Sequence, residues 1–373
     1  MESYPYKNYK IVDADQLNAD LTSVADAIRI KGKTTASLDF PDGFVGAIDN
    51  IKTGDDAPVA EKDVNFYDYD GTLLHSYTVA EAQALTELPE LPEREGLICQ
   101  GWNWTLEDIK DHNRAIDVYA TYTTDDGTTR IYINLHEGRT SPMLGCSPKG
   151  TVTVDWGDGT TPDVLAGTST STVKWTPTHN YDKPGNYIIT LSVDGEMELS
   201  GQYGLGTNIL RHSNADTAIN KAYQASVLRV ELGNNVTRIG SQAFNSCYNL
   251  AAISIPNSVT YIGGSAFVDC KSLRSVVIPN SVTDLFLQTF EMCVSLTSIV
   301  IPNSIKSIGK NAFNCCYSMF IYDFTKHTAV PTASGNLFNT TSSDFKILVP
   351  AALYDEWIAA TNWATYASQI VAV

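Results

Sequence analysis

No stretch of this 373-residue chain approaches the roughly 20 consecutive apolar residues that a membrane-spanning helix requires. Its beginning, MESYPYKNYKIVDADQ, has neither a basic n-region nor an apolar h-region, so export by a cleaved signal is not expected. Paired cysteines are lacking too: the seven thiols, at Cys99, Cys146, Cys247, Cys270, Cys293, Cys315 and Cys316, are odd in number and include no Cys-x-x-Cys. Neither a zinc ribbon nor a closed disulfide framework is indicated. Positive charge is scarce, with 25 basic against 42 acidic residues and a net charge of −17, which repels phosphate backbones and anionic lipid at long range. Nucleic acid and membrane insertion are therefore not expected. Charged residues make up 18% against 43% hydrophobic ones, a balance that suits folded cores and, at this length, two to four domains.

Catalytic signatures are absent as well. The histidines, His75, His112, His136, His179, His212 and His327, fall in different regions without His-Glu-x-x-His spacing, and no serine stands in Gly-x-Ser-x-Gly. The one catalytic-looking stretch is VNFYDYDGTLL, residues 64–74, where Asp68, Asp70, Gly71 and Thr72 resemble the nucleophile motif of haloacid dehalogenase-type phosphatases. Such an enzyme needs its first Asp at the C-terminal end of a central parallel strand, followed by further βα units. The chain that follows offers none, and the stretch reads better as a hairpin turning at Asp70-Gly71. No catalytic residue and no enzymatic activity are expected. After the hairpin, TVAEAQALTEL suits a short helix and LPELPEREGLICQGWNWT a returning strand. This order, with P-x-x-P-x-R-E-G and a final G-W, resembles the internalin B-repeat type of β-grasp module, although a helix replaces a loop that usually contains glycine. The resemblance implies a β-grasp-like module over 57–110.

Residues 151–193 combine V-D-W-G-D-G-T, H-x-Y and P-G-N-Y-I-I-T-L-S-V in that order. They resemble the polycystic-kidney-disease-type (PKD) β-sandwich, which implies a spacer or adhesion module over 111–200, with strands at 115–123 and 130–135 expected to complete it. The segment HEGRTSPMLGCSPKG between them is longer than that fold needs. Asp155, Asp158 and Asp163 form a candidate Ca²⁺ set, weighed against aspartates that cap their own Gly-rich turns. His179 and Tyr181 read as a corner hydrogen bond and a core ring.

The strongest signal is a repeat. Phe244, Phe267, Phe290 and Phe313 recur at one constant interval, and Cys247, Cys270, Cys293 and Cys316 keep the same interval. Its length falls in the solenoid range. ISIPNSVTYIGGSAF, VVIPNSVTDLFLQTF and IVIPNSIKSIGKNAF each supply a short strand, an Asn-Ser turn, a second short strand and a helical turn carrying Phe. Single units cannot bury their apolar faces, so they stack. The pattern resembles the BspA-type leucine-rich repeat of bacterial and phage surface proteins, and implies a solenoid over 201–330. VLRVELGNNVTRIGSQAF, with Leu232-Gly233 in place of Ile-Pro, reads as its first edge; the unit from Met319 to Phe338 breaks the period, and a strand and helix over 331–373 are expected to cap the end. In-register thiols run parallel, so the cysteine column reads as buried apolar packing, not disulfide or metal; Cys315 is expected to point outward and to be able to react. Ala252, Ser254, Ser275, Val277, Ser298 and Val300 read as a small exposed strip. Tyr248, Tyr261, Tyr317, Phe320 and Tyr322 are the candidate binding residues, since aromatic rings dominate recognition surfaces, with packing at the repeat edge the alternative for each.

Near the start, Leu17, Leu21, Val24 and Ile28 fall at helical spacing, and Phe44, Ile48 and Ile51 suit a second short helix. These resemble short helical segments of bacteriophage and prophage tail proteins and imply a helical anchor or oligomerisation segment with a linker over 1–56. The whole reads as a multidomain, mainly β protein. The resemblances imply a non-enzymatic phage tail-tip or receptor-binding protein of the virion tail, a homo-oligomer such as a trimer. It would contact other tail proteins through its N-terminus and a host-surface receptor, protein or glycan, through its repeats. The alternative is a BspA-type adhesin of the bacterial cell surface; a third, a glycan-degrading tail enzyme, needs paired carboxylates in a cleft, which the repeats do not display. No cofactor is implied apart from the candidate Ca²⁺.

Overall fold

A computed structural model describes residues 64–69, 72–111, 116–165, 176–199, 208–211, 217–338 and 345–373. The expected helices over 1–56 and the Asp70-Gly71 turn lie outside these residues. The chain divides into two units, Met1–Glu61 and Lys62–Val373, and the second is described here.

It begins with the expected hairpin, β1 (Val64–Tyr67) and β2 (Leu73–Tyr77), with Val64 opposite Tyr77. Helix α1 (Val79–Gln83) starts at a reciprocal cap: Glu81 N–H donates to Thr78 Oγ1 at 3.2 Å and the Glu81 carboxylate accepts the Thr78 N–H at 2.8 Å. Then follow β3 (Leu97–Trp102), α2 (Leu106–Asp111) and β4 (Ile116–Thr124). The sheet order is β2-β1-β4-β3, with β4 parallel to β1 and antiparallel to β3. Strand β4 was expected to belong to the sandwich and to start the next domain at 111. It instead fills the gap between β1 and β3, so this sheet runs on to Thr124. The reason lies in its burial: alternate residues Ile116 and Val118 join Val64, Phe66, Trp104 and Ile109 in one core, while Tyr119, Tyr122 and Thr123 are covered on other sides.

The next strands are β5 (Thr129–Leu135), β6 (Met143–Leu144), β7 (Cys146–Pro148), β8 (Val152–Asp155), β9 (Asp163–Leu165), β10 (Gly185–Val193), β11 (Met197–Leu199) and β12 (Leu210–Arg211), with α3 (Thr217–Gln224) after them. Strand β10 pairs antiparallel with both β5 and β8. The long segment after β5 supplies β6 and β7, which pair with β12 and β11, so its extra length makes strands. No boundary separates this region from the repeats. The first repeat strand, β13 (Val227–Glu231), pairs antiparallel with β5, and a six-stranded sheet runs through from β9 to the repeats. A second sheet is continuous in the same way, with β11 lying parallel to β14 (Val236–Ile239).

The repeats continue with β15 (Ala252–Ser254), β16 (Tyr261–Ile262), β17 (Asp284–Leu285), β18 (Ser298–Val300), β19 (Ser307–Ile308), β20 (Ile321–Asp323) and β21 (Thr332–Ala333). Ser298 stands opposite Ile321, one sequence period further on, so the interval between phenylalanines is also the step between rungs in space. The expected break at Met319 is smaller than its sequence suggests: Tyr322 occupies the inward slot of Ile299, and Ile321 pairs with Lys346 of β22 (Lys346–Val349) after a two-residue lengthening. The C-terminal strand and helix do more than cap. After α4 (Tyr354–Ala359), β23 (Ile370–Ala372) lies parallel to β22, so the end of the chain adds rungs to the stack. Phenylalanine rings form its axis, stacked at 5.3, 5.3 and 5.7 Å through Phe244, Phe267, Phe290 and Phe313, and at 5.9 Å on to Phe338.

The segment bearing each Phe is not the expected helical turn. Gln242, Ser265, Gln288 and Asn311, and likewise Ser246, Asp269, Met292 and Cys315, have φ between 56° and 62°. This left-handed backbone sends alternate N–H groups to the next rung, as Ser265 to Leu287 O at 2.8 Å and Phe267 to Thr289 O at 2.9 Å. A left-handed conformation costs a residue bearing a Cβ roughly 1–2 kcal/mol, offset here by bonds between rungs. Gln288→Gly is therefore expected to hold or raise stability, whereas Gln288→Val should lower it by more than about 1 kcal/mol. Urea unfolding of both variants checks this, and equal destabilisation by the two would contradict it.

Candidate functional site

Asp68 is built into the fold as a buried ion-pair partner. It is 1% exposed, accepts the Tyr69 N–H at 2.8 Å, and is clasped by Arg94 through Nε at 2.8 Å and through Nη2. Arg94 is the arginine of P-x-x-P-x-R-E-G, so two motifs that looked separate in sequence close on each other. Both guanidinium bonds go to Oδ2 while Oδ1 takes the backbone N–H, so each oxygen of the buried carboxylate is satisfied by a charge-assisted or backbone donor.

The strip expected to be exposed is covered. Ala252, Ser254, Ser275 and Ser298 are all buried, and Val277 and Val300 are half-buried. Ser298 Oγ donates to Asp117 Oδ2 at 2.9 Å and lies 3.2 Å from the Tyr119 hydroxyl; Ser275 Oγ reaches Tyr69 O at 3.4 Å, and Ser254 Oγ donates to Tyr122 O. Small side chains let β4 approach the repeat sheet closely, so the blandness of the strip marks an internal interface. Burial pushes the Asp117 carboxyl up, against the bonds from Ser298 and Asn65. Burial, reinforced by Asp117, likewise raises the Tyr119 hydroxyl. At the head of the interface Glu231 is buried, accepting the hydroxyls of Tyr69 at 3.3 Å and Tyr132 at 3.0 Å, with Arg229 at 3.4 Å and Arg130 at 3.8 Å.

The candidate aromatics divide. Tyr322 is fully buried against Phe313, Phe338 and Phe345 and touches nothing outside; its position in the inward column of Ile299 is the reason. Tyr317 and Phe320 are 56% and 48% exposed. Tyr248 carries Lys271 over its ring at 4.9 Å, and Tyr261 carries Arg238 at 3.8 Å. Tyr261 also meets Phe286 at 5.0 Å, and beside them Leu287 is 51% exposed. Phe286 and Leu287 were missed in the sequence, although a signal was there. Gly240, Gly263 and Gly309 recur with the period, because the chain passes so close there that a Cβ on Gly309 would lie 2.4 Å from the Phe286 carbonyl carbon. Phe286 alone interrupts that column, and it does so at the surface.

Each column cysteine from Cys270 onward donates its thiol to the Phe carbonyl of the preceding rung at 3.2 Å: Cys270 to Phe244, Cys293 to Phe267 and Cys316 to Phe290. The column thiols are unbridged, and burial pushes Cys316 up to about 12 and Cys247 higher still. Cys315 is partly exposed.

Asp155, Asp158 and Asp163 do not converge on a shared point. Asp155 Oδ1 accepts the Gly157 N–H at 2.9 Å, Asp163 Oδ2 accepts the Trp156 indole at 2.8 Å, and Asp158 receives the Thr160 N–H and hydroxyl and lies 2.6 Å from His179 Nε2. Among the described residues no group of three His, Cys, Asp or Glu is placed to hold a metal. Tyr181 donates to Trp156 O at 2.8 Å and packs in the core, as its sequence position suggests. Burial acts to raise the Asp158 carboxyl, but the bonds from Thr160 and His179 prevail and hold it at about 2. A carboxyl depressed on folding stabilises above its unfolded pKa of about 3.9, and that contribution is lost as pH falls toward about 2. Asp158→Asn is expected to flatten the acid limb of a stability–pH profile in that window; an unchanged limb would contradict the assignment.

Residues 220–343 match the BspA type leucine-rich repeat region in six copies, reaching beyond the 201–330 span expected for the solenoid at its C-terminal side. Among solved structures, the chain is similar to a leucine-rich cell surface protein of Faecalibacterium prausnitzii, 26% identical over 38% of this chain and 36% of that one, with a TM-score of 0.27. A leucine-rich-repeat protein of Bacteroides ovatus is 26% identical over 42% and 44%, with a TM-score of 0.29. The T. pallidum leucine-rich repeat protein is 25% identical over 41% and 78%, with a TM-score of 0.28. The chain thus spans less than half the length of the first two. No curated protein matches it.

Proposed function

We propose that the chain is a non-enzymatic recognition protein of the bacterial surface, an adhesin whose repeat stack carries the contact face for a receptor on another cell or matrix. The observation that carries this reading is the exposed pair Phe286 and Leu287 beside the half-buried Tyr261, with Phe286 set where the repeat otherwise has glycine. Contiguous exposed aromatic and aliphatic groups gain most from desolvation against a partner. The BspA-type repeats support a surface setting. The virion-tail setting drew on residues 1–56 and on the start of the chain, and nothing in the described residues adds to it.

Antibody labelling of intact, unpermeabilised bacteria, alongside mass spectrometry of purified virions, tests the setting. Labelled cells are expected; recovery from virions alone would overturn it. For the patch, Phe286→Ala with Leu287→Ala should abolish attachment of the purified chain to target cells without moving its unfolding midpoint. Undiminished attachment would place the contact face elsewhere.

A further inference from the structure

Between the edge of the first sheet and the repeat turns lies a cleft of about 540 Å³. Strand β3 and the loop after it supply Gln100, Trp102 and Thr105 to one wall, Val277 and Val300 form part of the floor, and the Pro-Asn turns of the repeats form the opposite wall. Four successive repeat turns carry an asparagine ladder, Asn234 after Gly233 and then Asn257, Asn280 and Asn303 each after Pro. Its two ends serve the fold: Asn234 Oδ1 accepts the Thr123 hydroxyl at 2.9 Å, and Asn303 Oδ1 accepts the Thr328 N–H at 3.0 Å. The two middle members, Asn257 and Asn280, are exposed on the cleft, and their side chains make no hydrogen bond among the described residues. Within the same lining, Gln100 Oε1 and Ser304 Oγ also have no hydrogen-bond partner among the described residues.

We propose that this cleft binds a neutral oligosaccharide, with Asn257 and Asn280 bonding sugar hydroxyls and the half-buried Trp102 and valine floor meeting the apolar faces of the rings. Three observations select the ligand. Lys326 is the one charged side chain of the lining among the described residues, and it is already engaged, donating to Asn103 O at 2.9 Å and lying over the Trp104 ring at 4.2 Å. What remains is amide and hydroxyl, which offers no counter-charge to an anionic or cationic ligand. Primary amides both donate and accept, as vicinal hydroxyls require, and the rung step, 5.3 Å between the Phe267 and Phe290 rings, is about the interval of successive sugar units. An extended peptide would instead need an evenly spaced strand edge. Strand β3 is the edge of its sheet, but its register slips at Cys99–Gly101, where the Gly101 N–H turns to Cys99 Sγ at 3.2 Å. Such a bulge blunts strand addition.

The inference does not depend on where the protein is displayed, and its test uses the purified full chain. An array of neutral oligomers of glucose, galactose, mannose and N-acetylglucosamine, beside sialylated and uronic-acid glycans, should retain the chain on neutral members. Titration calorimetry with the best neutral oligomer should show at least a tenfold loss for Asn257→Ala with Asn280→Ala, and no loss for the Phe286→Ala, Leu287→Ala chain. Should the double alanine variant misfold, Asn280→Asp keeps a turn-forming side chain while removing the amide donor, and should show the same direction of loss. Retention on acidic glycans only, binding indifferent to the asparagine changes, or displacement of the sugar by extended peptides would each overturn the proposal. Undiminished cell attachment of the Phe286→Ala, Leu287→Ala chain, with sugar binding intact, would count against the patch and leave the cleft standing.

Discussion

Phe290→Ala is expected to lower the free energy of unfolding by about 3–5 kcal/mol, the range for removing a large buried aromatic. Phe290 is fully buried between Phe267 at 5.3 Å and Phe313 at 5.7 Å, so its loss leaves a cavity bounded by two rings whose backbones are pinned by bonds between rungs. Those bonds limit how far the cavity can collapse, which places the cost toward the top of the range. The stack transmits stability between nearest neighbours, so the rungs beyond Phe313 should also exchange amide hydrogens faster while β5 and β10 stay protected. Urea unfolding and hydrogen exchange measure the two effects; a loss under about 1 kcal/mol would show that the column is not a packed axis.

Glu231→Ala should cost a similar amount, about 3–5 kcal/mol, for an electrostatic reason. The carboxylate is buried where the first sheet, strand β5 and the repeats meet, and it is shared by two tyrosine hydroxyls and two guanidinium groups. Its removal takes the shared acceptor from two tyrosine hydroxyls and a counter-charge from Arg229 and from Arg130, whose other carboxylate partners are on the surface. Glu231→Gln, which retains an acceptor oxygen, should cost less. A double-mutant cycle with Tyr132→Phe checks the shared bond, and additive losses would show that no coupling exists.

The repeat was legible because one unit recurs and its inward positions, such as Phe267 and Cys270, tolerate little change. The hairpin at 64–77 was equally plain from alternation and turn residues. What escaped notice were pairings between distant segments. Nothing local in AIDVYATYT tells whether it pairs with VNFYDY or with RIYINL, and both partners present suitable apolar faces. Arg94 and Asp68 stand far apart in sequence, in motifs that match different families, so their ion pair was invisible. The serine strip misled because small residues suit either an open surface or a close sheet contact, and only the position of β4 decides. Tyr322 misled by type, since a tyrosine in an isoleucine column reads as a surface ring until the column is seen to continue. The cleft has no counterpart in any single motif, because one wall comes from β3 and the other from repeat turns much later in the chain.

The last strand, β23, is held by a parallel ladder to β22 and ends its sheet, while at the other end the repeats merge into β5. A pull on Val373 therefore loads one rung at a time, since the bonds between rungs lie along the stack and open in sequence like a zip. Each rung that peels away releases about 80 Å of slack at full extension. Under such a pull the rungs would open in steps, lengthening and absorbing work, and the Tyr261–Phe286 patch, on earlier rungs, would keep its shape while the last ones peel.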